Sequence, residues 1–236
     1  MTRAAGDEDI ADFPVGVEVY RLPAPTTTQF VNTYQGSMRS QRVLAQAPSI
    51  GPEDLDPRWR EAKLVLLGPV LGEVEPAVAR ACEGYVGIGA QGWLRTVDDA
   101  GRVVPAKWSG GEAIDAARAI FVSVEDAPPR RLAGLVASWR RRLDVVATTN
   151  GPRGGELTVE GDRFPIKVFP AREVDPTGAG DVFAASFLAR YAETSDPYEA
   201  TEFAAAAAAC SIEGEGTTAI PDREMISARR REVASG

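Results

Sequence analysis

The chain has 236 residues, enough for one good-sized α/β domain, and its 44% hydrophobic and 25% charged residues are typical of a soluble globular protein. Its net charge of −8 argues against non-specific binding to nucleic acid or to anionic membranes. No apolar stretch has the length of a membrane span, and the N-terminal residues lack the apolar core of a signal peptide, so we expect a cytoplasmic protein.

The first half of the chain predicts a β-rich opening that leads into a parallel sheet. Alternating polar and apolar residues indicate strands at the start, and Gln35-Gly36-Ser37 predicts a hairpin between the second and the third. Continuous apolar runs further on are typical of strands buried on both faces of a parallel sheet. In chain order the predicted elements are strands over 15–22, 26–34, 38–46 and 63–70, a helix over 75–84 and a strand over 85–89.

The second half alternates strands with helices. A hairpin with its turn at Gly161-Asp162 follows the last predicted parallel strand, and the alanine run 204–209 predicts a close-packed helix face. This alternation predicts a mainly parallel α/β sheet covered on both faces. The predicted elements are strands over 118–125 and 144–151, a helix over 128–143, hairpin strands over 155–160 and 163–169, a helix to about Tyr191 and a second helix through the alanine run.

The absence of histidine from the sequence narrows the chemistry. It excludes Ser-His-Asp and Cys-His catalysis and the commonest zinc sites. Cys82 and Cys210 fit no metal or redox spacing, so we interpret both as core thiols. Acid–base chemistry must therefore rest on carboxylates, lysine, tyrosine or cysteine.

The stretch DPTGAGD, Asp175 to Asp181, places small residues where a helix begins and follows them with an acid. Unpaired N–H groups at a helix start bind anions, and glycine lets a ligand come close to the backbone. Gly178, Ala179 and Gly180 are therefore candidates for an anion hole. Asp181 would repel a bound phosphate unless a substrate hydroxyl lay between them, an arrangement suited to phosphoryl transfer. A plain helix N-terminus is the alternative interpretation of these residues.

The longer string EVDPTGAGDVFAASFLARY closely resembles the C-terminal signature of the ribokinase-like (PfkB) carbohydrate kinases, D-T-x-G-A-G-D followed by an apolar helix. The resemblance implies an α/β three-layer sandwich with a mainly parallel central sheet and a small β lid. It further implies a single kinase domain over 1–236, with lid strands at about 15–46. The implied activity is ATP-dependent phosphorylation of a hydroxyl on a sugar, polyol or nucleoside, with Mg²⁺.

The same resemblance assigns roles to residues of this sequence. Asp181 would be the general base beside the anion hole. Ser123 and Asp126 stand where the family has asparagine and glutamate that organise Mg²⁺ and phosphates, so Asp126 is the candidate metal ligand although neither side chain is kept. Candidate cofactor-binding residues are Thr149, Gly151, Gly154, Asp175, Thr177 and Ser123, and candidate substrate contacts in the lid-like hairpin are Asn32 and Arg39.

Several charged or polar residues allow two interpretations. Gln91 and Arg95 could face a polyol or a phosphate, or belong to an ordinary turn after a strand. Glu73 follows a predicted strand at the sheet edge where ligands bind, or it begins a helix. Lys167 and Arg172 lie near the glycine loop, but we interpret them as surface charges.

The N-terminal strand with an acidic sugar-binding residue and the following Gly-Gly segment, both usual in this family, are not found, so we expect an N-terminally short chain. A non-catalytic nucleotide-binding remnant with a structural or partner-binding role is therefore the second hypothesis. An exposed lid hairpin could pair across a homodimer. The acceptor is not identified by the sequence.

Overall fold

A computed structural model describes residues 1–6, 17–35 and 38–234 of the protein. The strands are β1 (Thr2–Ala4), β2 (Arg21–Pro23), β3 (Gln29–Gln35), β4 (Met38–Ala45), β5 (Leu64–Leu67), β6 (Tyr85–Gly89), β7 (Arg95–Val97), β8 (Val103–Pro105), β9 (Ala119–Ser123), β10 (Val145–Thr149), β11 (Gly155–Val159) and β12 (Asp162–Ile166). The α-helices are α1 (Pro57–Arg60), α2 (Gly111–Ala116), α3 (Pro129–Trp139), α4 (Ala179–Thr194), α5 (Pro197–Ser211) and α6 (Arg223–Ala234). None of the helices in these ranges is long and apolar enough to cross a membrane.

Six strands form the central sheet in the order β12-β11-β10-β9-β6-β5. β5, β6, β9 and β10 run parallel to one another, whereas β11 and β12 add an antiparallel hairpin beside β10 at one edge. The predicted strands that became β6, β9 and β10 lie inside the sheet and are mostly buried, as expected for a parallel sheet covered on both faces. The run 63–70 forms β5, which is an edge strand whose residues are mostly half-buried. The predicted α/β sheet is confirmed.

The two faces of the sheet carry separate apolar cores. Ile120 and Val146 pack on one face with residues of α2 and α3. Phe121 and Ala147, one position further along their strands, pack on the other face with residues of α4 and α5. Alanines 204–207 and Ala209 of α5 are buried, as the alanine run predicted. The result is a three-layer sandwich of helices, sheet and helices.

A two-stranded antiparallel sheet stands apart from the centre and corresponds to the predicted lid. It consists of β3 and β4. Gln29 lies opposite Ala45 at one end and Gln35 opposite Met38 at the other, and the register shifts between Gln29 and Phe30. The hairpin β7–β8 supports it, since Val43 N donates to Gly101 O at 2.9 Å. Here we call β3 and β4 the lid hairpin.

Three sequence predictions differ in detail from the structure. The segment predicted to be a helix over 75–84 forms only a 3₁₀ turn at Pro76–Ala81. Cys82, directly after it, is already extended, with φ −97° and ψ 131°, so the helix ends before Gly84. The second hairpin turns at Glu160 and Gly161, which both have positive φ, rather than at Gly161-Asp162. Of the first predicted strand, residues 15 and 16 lie outside the described residues, and the extended pairing begins at Arg21.

The start of α5 offers a test of local stability. The Asp196 side chain accepts hydrogen bonds from Tyr198 N at 2.8 Å and Glu199 N at 3.1 Å, which satisfies two donors that the helix leaves unpaired. We expect Asp196→Ala to lower the free energy of unfolding by about 1 kcal/mol, measured by urea denaturation. Asp99→Ala, in the exposed turn between β7 and β8, is the control and should change it by less than about 0.5 kcal/mol. Equal effects of the two substitutions would contradict the capping role.

Candidate active site

The carboxyl ends of the parallel strands lie along one edge of the sheet, where α/β folds bind ligands. Gly68 follows β5, Gly89 ends β6, Ser123 ends β9 and Thr149 ends β10. The order of these strands in the sheet sets the order of the residues along the edge, so Ser123 and Thr149 are neighbours at one end and the two glycines are neighbours at the other. The site described below occupies this edge.

The glycine loop leads into the start of α4 over this edge. Gly178 has φ 81°, a left-handed conformation that favours glycine, and caps the helix. The first hydrogen bond of the helix is donated by Val182 N to Gly178 O at 2.9 Å. The backbone N–H groups before Val182 therefore make no hydrogen bond of the regular helical pattern. Ala179 N already donates to Pro176 O at 3.3 Å, which leaves Gly178 and Gly180 as the stronger candidates for an anion hole. The space beside the Gly180 Cα is open.

Asp175 holds the loop in shape through both of its carboxylate oxygens, and its candidate contact with the cofactor stays a prediction. Its Oδ1 accepts a hydrogen bond from Thr177 N at 2.9 Å, and its Oδ2 accepts one from Gly216 N at 3.1 Å. The carboxylate thereby ties the glycine loop to the segment that follows α5. Thr177 is exposed beside it.

Asp181 lies above two glycines. A methyl group built on Gly68 would lie 3.9 Å from Asp181 Oδ1, and one built on Gly89 would also lie 3.9 Å from it. The carboxylate therefore faces the carboxyl ends of β5 and β6, and the absence of side chains on both glycines leaves space next to it. Glycine inside a strand often marks such a close approach by a ligand.

The surroundings of Asp181 raise the pKa of its carboxyl group above the ordinary value. The main cause is the loss of water around the carboxylate, although Asp181 as a whole residue is exposed. The positive charge of Arg95 opposes this effect, and the nearby charge of Asp126 adds to it. The charges of Arg95 and Asp126 are therefore near enough to act on Asp181, and we call the space between these three residues and the glycine loop the cleft. Perturbed carboxylates of this kind cluster at functional sites.

Ser123 and Asp126 form a tight turn at the end of β9. Asp126 Oδ2 accepts a hydrogen bond from Ser123 N at 2.7 Å, and its Oδ1 accepts one from Gln91 Nε2 at 3.1 Å. Ser123 Oγ accepts a hydrogen bond from Glu125 N at 3.2 Å. Burial raises the pKa of Asp126, against the lowering effect of its hydrogen bonds. The Gln91 side chain thus stabilises this turn from outside it.

Thr149, Gly151 and Gly154 form the neighbouring loop after β10. Thr149 Oγ1 donates to Val122 O at 3.4 Å, and Asn150 N closes the loop by donating to Gly154 O at 2.7 Å. Gly151 has φ 51° and Gly154 has φ 78°. A methyl group on Gly154 would also lie 2.5 Å from Ile166 O, so only glycine fits there.

The lid hairpin is linked to the end of the sheet edge that lies away from Thr149, at the loop after β5. Asn32 Oδ1 accepts a hydrogen bond from Gln41 Nε2 at 2.9 Å. Arg95, at the start of β7, contacts this hairpin through Gln41 and through the Phe30 ring. Arg39 lies in β4, but its side chain falls outside the described residues, and its proposed contact with the substrate stays a prediction.

Three charged residues that allowed two interpretations have structural partners. Glu73 accepts hydrogen bonds from Val70 N at 2.8 Å and Leu71 N at 2.6 Å, so it stabilises the loop after β5 and does not begin a helix. Lys167 pairs with Glu202 at 2.8 Å on the surface. The exposed Arg172 is held by its backbone N–H, which donates to Glu213.

The acidic residues at this edge of the sheet are compatible with a Mg²⁺ ion that is bound partly by the phosphates of a substrate. Among the described residues, no three His, Cys, Asp or Glu side chains come together as a ligand set. Mg²⁺ usually keeps several waters and takes one or two carboxylates together with substrate phosphates. Asp126, which the resemblance assigns to the metal, is the candidate carboxylate ligand at the cleft.

Sequence reasoning did not find Gly68, Gly89 or Gln41. Their parts in the cleft depend on contacts with residues far along the chain, such as Asp181, which no local pattern reports. One signal was present, because a glycine at the end of a buried strand is unfavourable for the strand and needs a reason.

Comparison with known proteins agrees with this geometry. The model of the pfkB family carbohydrate kinases matches residues 129–223. The chain is 29% identical over 194 residues to an ATP-dependent ribose-1-phosphate kinase of Halopiger xanaduensis, a match that covers 76% of this chain and 59% of that protein. It is 31% identical over 177 residues to an inositol 3-kinase of Zea mays, covering 70% of this chain and 45% of that protein. The chain thus spans less than two thirds of each of these relatives.

Solved structures share the fold. A pyrophosphate-dependent kinase of the ribokinase family, in a sulfate complex, superposes with a TM-score of 0.76 at 22% identity, covering 90% of this chain and 78% of the other. Arabidopsis thaliana ribokinase in complex with ribose and ATP gives a TM-score of 0.73 at 21% identity, covering 98% and 80%. The predicted ribokinase-like fold is confirmed.

Proposed function

Since the chain belongs to the ribokinase-like pfkB family of carbohydrate kinases, whose members transfer phosphate to hydroxyl groups, we propose that it phosphorylates a hydroxyl of a sugar, polyol or nucleoside with ATP as donor. The observation that carries this proposal is the position of Asp181. Its carboxylate lies beside a glycine loop suited to anions and over two glycines that leave space for a small molecule.

The two ends of the cleft suit the two substrates. The loops at Ser123 and Thr149, together with the glycine loop, offer backbone and hydroxyl donors to the phosphates of ATP. The space at Gly68 and Gly89, bounded by the lid hairpin, suits the acceptor. Mg²⁺ bound to the donor phosphates would lie near Asp126 and would neutralise the charge of the phosphates.

The residues then act in a simple order. Asp181 accepts the proton of the acceptor hydroxyl, whose oxygen forms a bond to the terminal phosphorus of ATP. The bond between that phosphorus and the bridging oxygen breaks, and ADP leaves with the electron pair. The N–H groups of Gly178 and Gly180 stabilise the charge on the transferred group, and Asp175 keeps their loop in place.

The experiment measures ADP release from Mg-ATP by the purified chain with a panel of sugars, sugar phosphates, inositols and nucleosides. Release that depends on one class of acceptor supports the proposal and names the class. Pyrophosphate replaces ATP in a parallel series, with release of inorganic phosphate as the readout, because a structural relative uses that donor. A folded chain that releases nothing with either donor would favour the non-catalytic alternative.

The raised pKa of Asp181 predicts a particular pH dependence. A carboxylate acts as a base only when it is ionised, so activity is lost as the pH falls through its pKa. Because the loss of water around the carboxylate raises that pKa above the ordinary value of 3.8, kcat/KM should fall on the acid side with a midpoint above that value. The measurement is kcat/KM for the best acceptor from acidic to neutral pH, with unfolding followed in parallel. A midpoint at or below the ordinary value would contradict the assignment.

The homodimer stays a proposal. It is supported by the outer face of the lid hairpin, where Val31 is 42% and Leu44 is 66% exposed. Exposed apolar side chains on a two-stranded sheet are suited to pairing with a second copy.

A further inference from the structure

Arg95 connects three parts of the molecule. Its Nε donates a hydrogen bond to Val70 O at 2.5 Å, in the loop after β5. Its Nη1 donates to Gln41 Oε1 at 3.3 Å, in β4. Its guanidinium also lies over the ring of Phe30 in β3, 5.1 Å from the ring centroid. One side chain therefore joins both strands of the lid hairpin to the central domain.

The contact continues along the hairpin to a candidate substrate residue. Gln41 uses its oxygen for Arg95 and its Nε2 for Asn32 Oδ1, at 2.9 Å. Asn32 and Gln41 are paired across the two strands, so their side chains share one face of the hairpin. The orientation of the Asn32 amide thus depends on Gln41, which in turn is held by Arg95.

The other end of the connection is rigid. The loop that accepts from Arg95 is fixed by Glu73, whose carboxylate accepts hydrogen bonds from Val70 N and Leu71 N. This loop directly follows Gly68, which lies under Asp181. Arg95 therefore fastens the hairpin to the part of the cleft where the acceptor space lies.

We propose that Arg95 is a positioning residue that fastens the lid hairpin to the loop Val70–Glu73 and thereby sets the position of Asn32 over the acceptor. Its effect on kinetics rests on the function proposed above, whereas its effect on the hairpin does not. The planar guanidinium is needed because it serves two acceptors and a ring at once, which an ammonium group does not do.

The first test needs no activity. Hydrogen exchange of the backbone amides of β3 and β4 is compared in the wild type, Arg95→Met, Arg95→Lys and Arg102→Met. Arg102 is a matched control, because it is an exposed arginine of the same β7–β8 hairpin that is paired with Asp98. We expect Arg95→Met to speed exchange in β3 and β4 by about tenfold, as for a lost hydrogen bond to a charged group, and to leave β9 and β10 unchanged.

Arg95→Lys should restore little of this protection, because its ammonium group cannot replace the planar contact. Unchanged exchange in β3 and β4 of Arg95→Met, or an equal effect of Arg102→Met, would overturn the proposal. If Arg95→Met does not fold, Arg95→Lys decides by the same comparison.

The second test is a kinetic comparison with the acceptor that gives the highest rate in the panel. We expect Arg95→Met to raise KM for that acceptor by about tenfold, with a much smaller change in KM for Mg-ATP, and Gln41→Ala to act in the same direction. Equal rises in both KM values would contradict a role at the acceptor end. If the wild type transfers no phosphate, the proposed function fails, and the exchange experiment still decides the role of Arg95.

Discussion

We expect the replacement of Asp181 by asparagine to lower kcat for the proposed phosphoryl transfer by about two to four orders of magnitude. The substitution keeps the size and shape of the side chain but removes the only ionisable group placed over Gly68 and Gly89 in the described part of the cleft. Binding of Mg-ATP should stay within a few-fold of the wild type, since the glycine loop keeps its N–H donors. The measurements are initial rates with the best acceptor and calorimetric titration with Mg-ATP.

The same variant should be at least as stable as the wild type. The surroundings raise the pKa of Asp181 and so disfavour its ionised form in the folded protein, a cost that asparagine avoids. Glu193→Gln removes a charge from the far end of the same helix, where Glu193 pairs with Arg190 and Arg223, and is the matched control for activity. Near-normal turnover of Asp181→Asn would refute the assignment of the base.

The second large effect is expected at Gly89, where substitution fills the acceptor space. A methyl group there would make only ordinary contacts, at 3.7 Å from Leu67 O, 3.8 Å from Gly68 Cα and 3.9 Å from Asp181 Oδ1. The chain should therefore fold normally with alanine. We expect Gly89→Ala to lower kcat/KM by about tenfold and Gly89→Val by about a hundredfold, because a displacement of about 1 Å at the reacting groups has effects of this size.

The measurement is kcat/KM for the acceptor, together with thermal unfolding of each variant. Gly134→Ala, at an exposed position of α3 with open space around it, controls for the loss of glycine itself. Donor binding should not change in either Gly89 variant. Wild-type activity in Gly89→Val would show that the acceptor does not lie beside this strand.

The sequence predicted the framework because the framework depends on local patterns. The apolar runs that became β6 and β9 are nearly continuous, as strands buried on both faces must be, and their bounds differ from the prediction by a few residues at most. The loop before α4 was predicted because a helix start with glycines has a distinct composition. Gly178 does adopt the left-handed conformation that only such a residue takes readily.

The rest of the site depends on contacts between distant parts of the chain. The sequence allowed two interpretations of Arg95, a contact with a ligand or an ordinary turn. Its partners Val70, Gln41 and Phe30 come from separate segments, so no local pattern could decide between them. Hairpin register is similarly hard to predict, because moving the turn from Gly161-Asp162 to Glu160-Gly161 changes one residue and both positions contain glycine. The segment over 75–84 was predicted to be helical, and it forms a shorter 3₁₀ helix at Pro76–Ala81, because the apolar pattern does not report the helix type or the extended conformation of Cys82.

The measurement that tests the central claim most directly is transfer of the terminal phosphate of ATP to an acceptor, followed by ³¹P NMR for the wild type and Asp181→Asn side by side. We predict that a phosphomonoester signal grows with the wild type only when the acceptor is present, in step with loss of the ATP γ-phosphate signal, and that Asp181→Asn gives none over the same time. A phosphomonoester formed equally fast by Asp181→Asn, or inorganic phosphate as the sole product of the wild type, would contradict the account.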